Sequence, residues 1–149
     1  MEVKQKFRKI VFIVTYAKLK DKTYYLVLKR KLHWKGWEFP KGGVDFPELK
    51  KSAVKREILE ETGNKALKIK KFNFSGKYKY KKKFGDRKDF IGQSFHLYSV
   101  EIKYGKAKLD KTEHSEYKWL LFEEAVKKVT FPNQKKSLKI VNDWLKNEK

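Results

Sequence analysis

One segment of this chain, Pro47–Thr62, reads as a helix, and strand-like runs bound it on both sides. Pro47 sits near its start and Gly63 follows its end, the asymmetry expected of helix termini. Before it lie Phe7–Tyr16 and Thr23–Arg30, rich in β-branched and aromatic residues, with Asp21-Lys22 as a hairpin step between them. Trp37-Glu38-Phe39 is a short extended piece that stops at Pro40. After the helix comes Leu67–Phe84, in which Phe72, Phe74, Tyr78, Tyr80 and Phe84 share one face and lysines mostly occupy the other. Gly85-Asp86 turns the chain into Phe90–Ile102, apolar on both faces and therefore a central strand. Tyr117–Phe122 reads as one more strand. Phe122–Val129 and Gln134–Lys146 read as helices, the second with Leu138, Val141 and Leu145 facing inward. Strands around one early helix, followed by late helices, predict an α/β fold with a mixed β-sheet and helices on both faces. The 149 residues suit one domain, 1–149, long enough to bury a core without staples.

The chain has no cysteine, which excludes disulfides and thiolate metal sites. Any metal must sit on oxygen or nitrogen ligands. No apolar run is long enough for a membrane span, and Met1–Lys6 lacks a signal-peptide layout. The expectation is a cytoplasmic protein with no membrane partner. Lys and Arg number 39 against 18 acids, a formal net charge of +21. Such a field attracts polyanions, whether a phosphate-rich small molecule or RNA. A lysine-rich, mostly solvated surface gives the same count.

Against that background the acids of the helix stand out. Glu57, Glu60 and Glu61 fall on one face, within about 100° of arc, bordering the apolar stripe of Val54 and Ile58. Glu57 and Glu61 repel at i,i+4, and all three sit in the last turns, where the helix dipole disfavours anions. A solvated face paired with lysines is one account of them. A divalent cation is the other, and oxygen ligands suit magnesium or manganese.

Gly42, five residues, Glu48, seven residues, then Arg56-Glu57-Ile58-Leu59-Glu60-Glu61-Thr62-Gly63 resemble the Nudix box. The usual aliphatic residue after the final glycine is here Asn64. The resemblance implies a Nudix-type α/β/α sandwich and a Mg2+-dependent (or Mn2+-dependent) hydrolase of phosphoanhydride bonds in nucleotide substrates. It implies Glu57, Glu60, Glu61 and the Gly42 carbonyl as metal ligands, with Arg56 orienting the glutamates and Glu48 and Gly63 supporting the site. A further ligand or general base is expected just before the last strand. Glu113, six residues before Trp119, is the candidate, with Glu116 in reserve; His114 reads as an inert loop histidine.

The substrate class is argued from the flanks. Trp37–Gly43, with His33-Trp34 before it and Glu113, His114, Tyr117 and Trp119 later, is similar to diadenosine tetraphosphate hydrolases. Trp37-x-Phe39-Pro40-x-Gly42 is also similar to RNA 5′-pyrophosphohydrolases and decapping enzymes. The expected substrate is a bis(5′-nucleosyl)-tetraphosphate. Triphosphorylated RNA is the alternative, and a non-catalytic, basic nucleic-acid-binding module is the reading from a different class. Lys41 is a candidate phosphate contact, and Tyr78 and Tyr80 are candidates for base stacking, although such a ladder commonly faces a core. Lys81–Lys83 is expected at a hairpin tip away from the catalytic helix. The oligomeric state is not legible.

Overall fold

The computed structural model describes residues 6–45, 47–82, 84–87 and 89–148. Among these residues, seven strands and three helices follow one another. They are β1 (Lys6–Leu19), β2 (Lys22–Arg30), β3 (Gly36–Glu38), β4 (Lys41–Gly43), α1 (Lys50–Thr62), β5 (Lys68–Lys79), β6 (Phe90–Glu101), β7 (His114–Leu120), α2 (Phe122–Lys128) and α3 (Pro132–Asn147). The sheet order is β3-β2-β1-β6-β5, with β4 added to β1 and β7 to β2. β1 runs parallel to β6 and antiparallel to β2, so the sheet is mixed.

β1 is buried without a break from Ile10 to Ala17. Its alternating side chains serve two cores, as a period of two requires. Ile10, Phe12, Val14 and Tyr16 join Tyr25, Val27, Phe95 and Leu97 under α2 and α3. Val11 and Ile13 join Leu26, Leu28, Tyr98 and Val100 under Val54 and Ile58 of α1. Each such side chain contributes roughly 1.5–3 kcal/mol by leaving water. Helices therefore cover both faces, as the sequence predicts. The buried Tyr25 hydroxyl donates to Asn142 Oδ1 at 2.8 Å, which satisfies it against α3.

The sheet forks, and the fork positions the site. β1 and β2 pair only next to their turn, from Tyr16↔Tyr25 to Leu19↔Lys22. Farther on, β1 pairs with β4 at Ile10–Phe12, while β2 pairs with β3 at Leu28–Arg30. The chain from Gly36 to Gly43 thus enters the middle of the sheet, and its β4 end lies against α1. The sequence does not predict β4. Three residues with two glycines carry no strand pattern, and their pairing with β1 makes them a strand.

Several boundaries differ from expectation. α1 begins at Lys50, not Pro47, because Glu48 N–H donates to Asp45 O in a turn. Its end is as expected: Gly63 takes φ 73 and donates to Leu59 O. Asn64 closes the exit through its side chain, which donates to Thr62 O and Lys106 O. β5 ends at Lys79 and does not reach Phe84, since Gly85–Arg87 forms a 3-10 turn. β7 starts earlier, at His114, and Phe122 opens α2. No helix among the described residues is long and apolar enough to cross a membrane.

Candidate active site

The last turns of α1 face β4. Glu61 is buried, 2% exposed, and Lys41 N–H donates to its Oε2 at 3.2 Å. Its Oε1 has no partner among the described residues. Glu57 lies against Gly42, where an added Cβ would overlap the Glu57 carboxyl, so any side chain there would displace it. Arg56 is the hub. It donates to both Glu48 oxygens at 2.8 and 2.9 Å, to Glu57 at 2.7 Å, to Glu60 at 3.2 Å and to the Gly43 carbonyl at 2.9 Å. The Arg56 hydrogen bonds hold Glu48 down at about 2. Burial pushes Glu57 up to about 7 despite Arg56. Burial, with Glu57 and Glu113 nearby, raises Glu61 well above the carboxylate range.

Glu113 arrives from the turn before β7. Its carboxylate lies 3.6 Å from Arg30 Nη1. Ligand atoms of Glu61, Glu113 and His114 come within 4.8 Å of one another. Glu60 is 55% exposed and stays outside this group. Glu116 pairs with Lys29 on the surface. His114 is not an inert loop residue. It opens β7, is fully buried, and its Nε2 meets Glu38 Oε2 at 2.9 Å. Its Nδ1 has no hydrogen-bond partner among the described residues.

Glu38 anchors a buried charge group that the sequence does not single out. Lys41 lies 3.6 Å and Arg30 3.3 Å from its carboxylate, and Trp34 Nε1 donates at 3.1 Å. Burial alone would raise Glu38, but Lys41, His114 and Arg30 outweigh it and hold it at about 2. Burial lowers Lys41 to about 8 against the pull of Glu38. Lys41 is thus an interior cation, 4.0 Å from the Trp34 ring centroid.

Two recesses meet at Lys41. A small one is bordered by Arg8, Arg30, Arg87 and Gln93 together with Glu57 and Glu113. Beside it opens a cleft of about 610 Å³ walled by Trp34, Tyr78, Tyr80, Phe84 and Phe131. The aromatic ladder of β5 therefore divides: Phe72 and Phe74 pack in the core, while Tyr78 and Tyr80 face the cleft. Lys81 and Lys82 also line it. Lys83 lies outside the described residues.

An arginine-braced glutamate face on a helix, meeting a glycine strand inside a forked mixed sheet, defines a class of phosphoanhydride hydrolases. The model of the NUDIX domain matches residues 6–141, and the chain belongs to the Nudix hydrolase family. An RNA pyrophosphohydrolase of Sulfurovum sp. is 26% identical over 98% of this chain and 98% of its own. Another, from Nitratiruptor sp., is 29% identical over 88% of each chain. A C. elegans Ap4A hydrolase shares the fold with a TM-score of 0.75, at 24% identity, covering 93% of this chain and 98% of its own. The reading as a non-catalytic module gives way to an enzyme.

Nudix enzymes generally use a divalent metal, and the residues here fit one. The orphaned Glu61 oxygen and His114 nitrogen are buried polar atoms that a cation would satisfy. The Glu38–His114 pair supplies the carboxylate behind a histidine that orients such a ligand.

Proposed function

We propose that this hydrolase acts on the 5′-polyphosphate end of RNA, with magnesium or manganese bound. The observation that carries the reading is the cleft at Lys41. It joins an aromatic wall fit for a base, flanking lysines fit for a phosphodiester chain, and an opening onto the acids. The relatives that cover nearly the whole chain agree with it. A dinucleoside tetraphosphate is the second reading, favoured by a cleft roomy enough for a nucleoside. Of the residues that carry its sequence argument, Tyr117 packs against the core under α1 and the Trp119 ring lies tilted 5.2 Å from Tyr104.

In this reading Glu57, Glu61, Glu113 and the Gly42 carbonyl hold the metal, with His114 beside them and Glu60 at the rim. When bound, the cation neutralises the crowded carboxylates and draws charge from phosphate oxygens. Arg56 keeps Glu57 and Glu60 in place. Arg8 and Lys41 face the phosphates, and Tyr78 and Tyr80 face the base. Water forms the new P–O bond as the anhydride P–O bond breaks; the leaving phosphate takes the electron pair and Glu113 takes the proton. Glu113→Gln should then lower kcat by about 10²–10⁴-fold with little change in KM. A rate near that of the parent assigns the proton to another carboxylate.

A magnesium assay comparing triphosphorylated RNA, diadenosine tetraphosphate, ADP-ribose and nucleoside triphosphates tests the substrate. RNA should be preferred, with kcat/KM falling steeply with salt. Replacing Lys81 and Lys82 by Ser should flatten the log–log slope by about 0.7 for each phosphate that the lysines neutralise. Preference for diadenosine tetraphosphate, with a shallow slope unmoved by the lysine changes, selects the second reading.

A further inference from the structure

The chain between β5 and β6 is tied to the chain between β2 and β3. His33 Nε2 lies 2.9 Å from both carboxylate oxygens of Asp86. The His33 side chain is only 7% exposed, against 61% for Asp86. His33 holds φ 71, in the left-handed region that is uncommon for residues with side chains, and its surroundings hold the ring. Those surroundings are Arg30 Nη2, 3.3 Å from His33 Nδ1, and Phe84, whose ring meets the imidazole edge-on at 4.6 Å.

Asp86 is followed by Arg87, which turns inward. Its Nη1 donates to Gln93 Oε1 at 2.8 Å and approaches Tyr80 Oη at 3.4 Å. Gln93 is buried and takes a further hydrogen bond from Tyr80, so it is a fixed support. Among the described residues Arg87 makes no ion pair with a carboxylate, although Glu57 and Glu113 border the same recess. A guanidinium held by neutral partners at the mouth of an acidic site has its charge and remaining N–H groups available to an anion. An arginine on an exposed loop would lose much side-chain freedom on meeting a ligand. Tying Asp86 to His33 fixes the neighbouring residue before the ligand arrives.

We infer that Arg87 binds the terminal phosphates of the 5′-polyphosphate end and sets the preference for it, and that the His33–Asp86 pair is the positioning device that presents Arg87. The inference rests on the RNA-end hydrolase reading above. It makes Arg87 a specificity-determining residue and Asp86 a positioning residue that touches no substrate.

The test is a double-mutant cycle on triphosphorylated RNA in magnesium, read as KM and kcat separately. Arg87→Gln raises KM roughly tenfold or more with a smaller effect on kcat, the scale of removing a charge-assisted hydrogen bond. Arg87→Lys restores part of the binding. Asp86→Asn raises KM in the same direction, and in the Arg87→Gln background it adds nothing; a merely structural tie would add its cost in both backgrounds. Fluorescence anisotropy without metal gives an independent readout. Arg87→Gln lowers the preference for RNA with a 5′-triphosphate over the same RNA with a 5′-hydroxyl. A parent protein that does not cleave triphosphorylated RNA overturns the functional reading. A parent that cleaves it, with Arg87→Gln unchanged in KM and preference, overturns the role of Arg87. Additive effects of Asp86→Asn and Arg87→Gln overturn the positioning role.

Discussion

Glu61→Gln leaves the metal-free protein at least as stable as its parent and removes nearly all turnover. Burial favours the neutral form of Glu61 when no metal is present, so an uncharged amide of the same shape suits the same pocket. The fold loses nothing, but the site loses a ligand charge. The expected fall in kcat is on the order of 10³-fold, the scale of losing one preorganised charge-stabilising group. Magnesium raises the Tm of the parent by binding the native state and raises that of the variant much less. The pH dependence has a definite sign. Glu57 keeps its proton in the folded protein up to about 7, against 4.5 for an unperturbed carboxyl. The folded state binds more protons across that window, so metal-free stability is present below 4.5 and is lost as pH rises through 7. Glu61 acts in the same direction, and Glu61→Gln removes its share of the slope. The same protons compete with the cation, so metal-induced stabilisation grows over that range. Thermal scans with EDTA and with magnesium, across pH, measure all of this. Full activity in the variant, or a magnesium shift equal to that of the parent, rules out Glu61 as a ligand.

Glu38→Gln has the largest effect on stability. It leaves Arg30, Lys41 and His114 packed around a neutral amide with no buried counter-charge. Breaking a buried ion pair from one side costs about 3–5 kcal/mol. For a domain of this size that lowers Tm by roughly 10 °C. Here the linkage runs the other way. Glu38 is held at about 2, so its contribution is present above 4.5 and disappears as pH falls towards 2. Parent and variant therefore differ most near neutrality and converge in acid. An unchanged Tm at neutral pH shows that the buried cations Arg30 and Lys41 do not depend on Glu38.

The spacing of Glu57, Glu60 and Glu61 makes the acidic face legible, because helical geometry is fixed by residue count alone. The inward faces of β1 and β6 are legible for a similar reason: alternation and unbroken apolar runs record burial directly. Glu38 and His114 are not, since a charged residue buried by partners distant in sequence looks like an exposed one. Their partners come from β2, β4 and β7, and only the fork in the sheet brings these together. The end of the long strand before Gly85 is misplaced, because nothing in the lysine run marks where pairing with β6 stops. Ending β5 at Lys79 sets Lys81 and Lys82 against the cleft. Glu113 is anticipated only through the family resemblance, which puts an acid six residues before a tryptophan. Its approach to Glu61 depends on the register of β7 on β2.

The parallel pairing of β1 with β6 bears on how the protein is made. Lys6 meets Phe90, and the register continues to Tyr16 with Glu101. A ribosome adds roughly 5–20 residues per second, so the first strand waits several seconds for its longest partner. Meanwhile the apolar stretch Ile10–Ala17 has only a short hairpin with β2 and three pairs with β4 to occupy its edges. Non-local parallel pairing is also slow once both strands exist. The nascent chain thus carries its stickiest segment exposed through most of synthesis, and the strong positive charge around that segment helps keep unfinished chains apart. Changes to the core residues Phe95 and Leu97 of β6 should therefore lower the yield of folded protein.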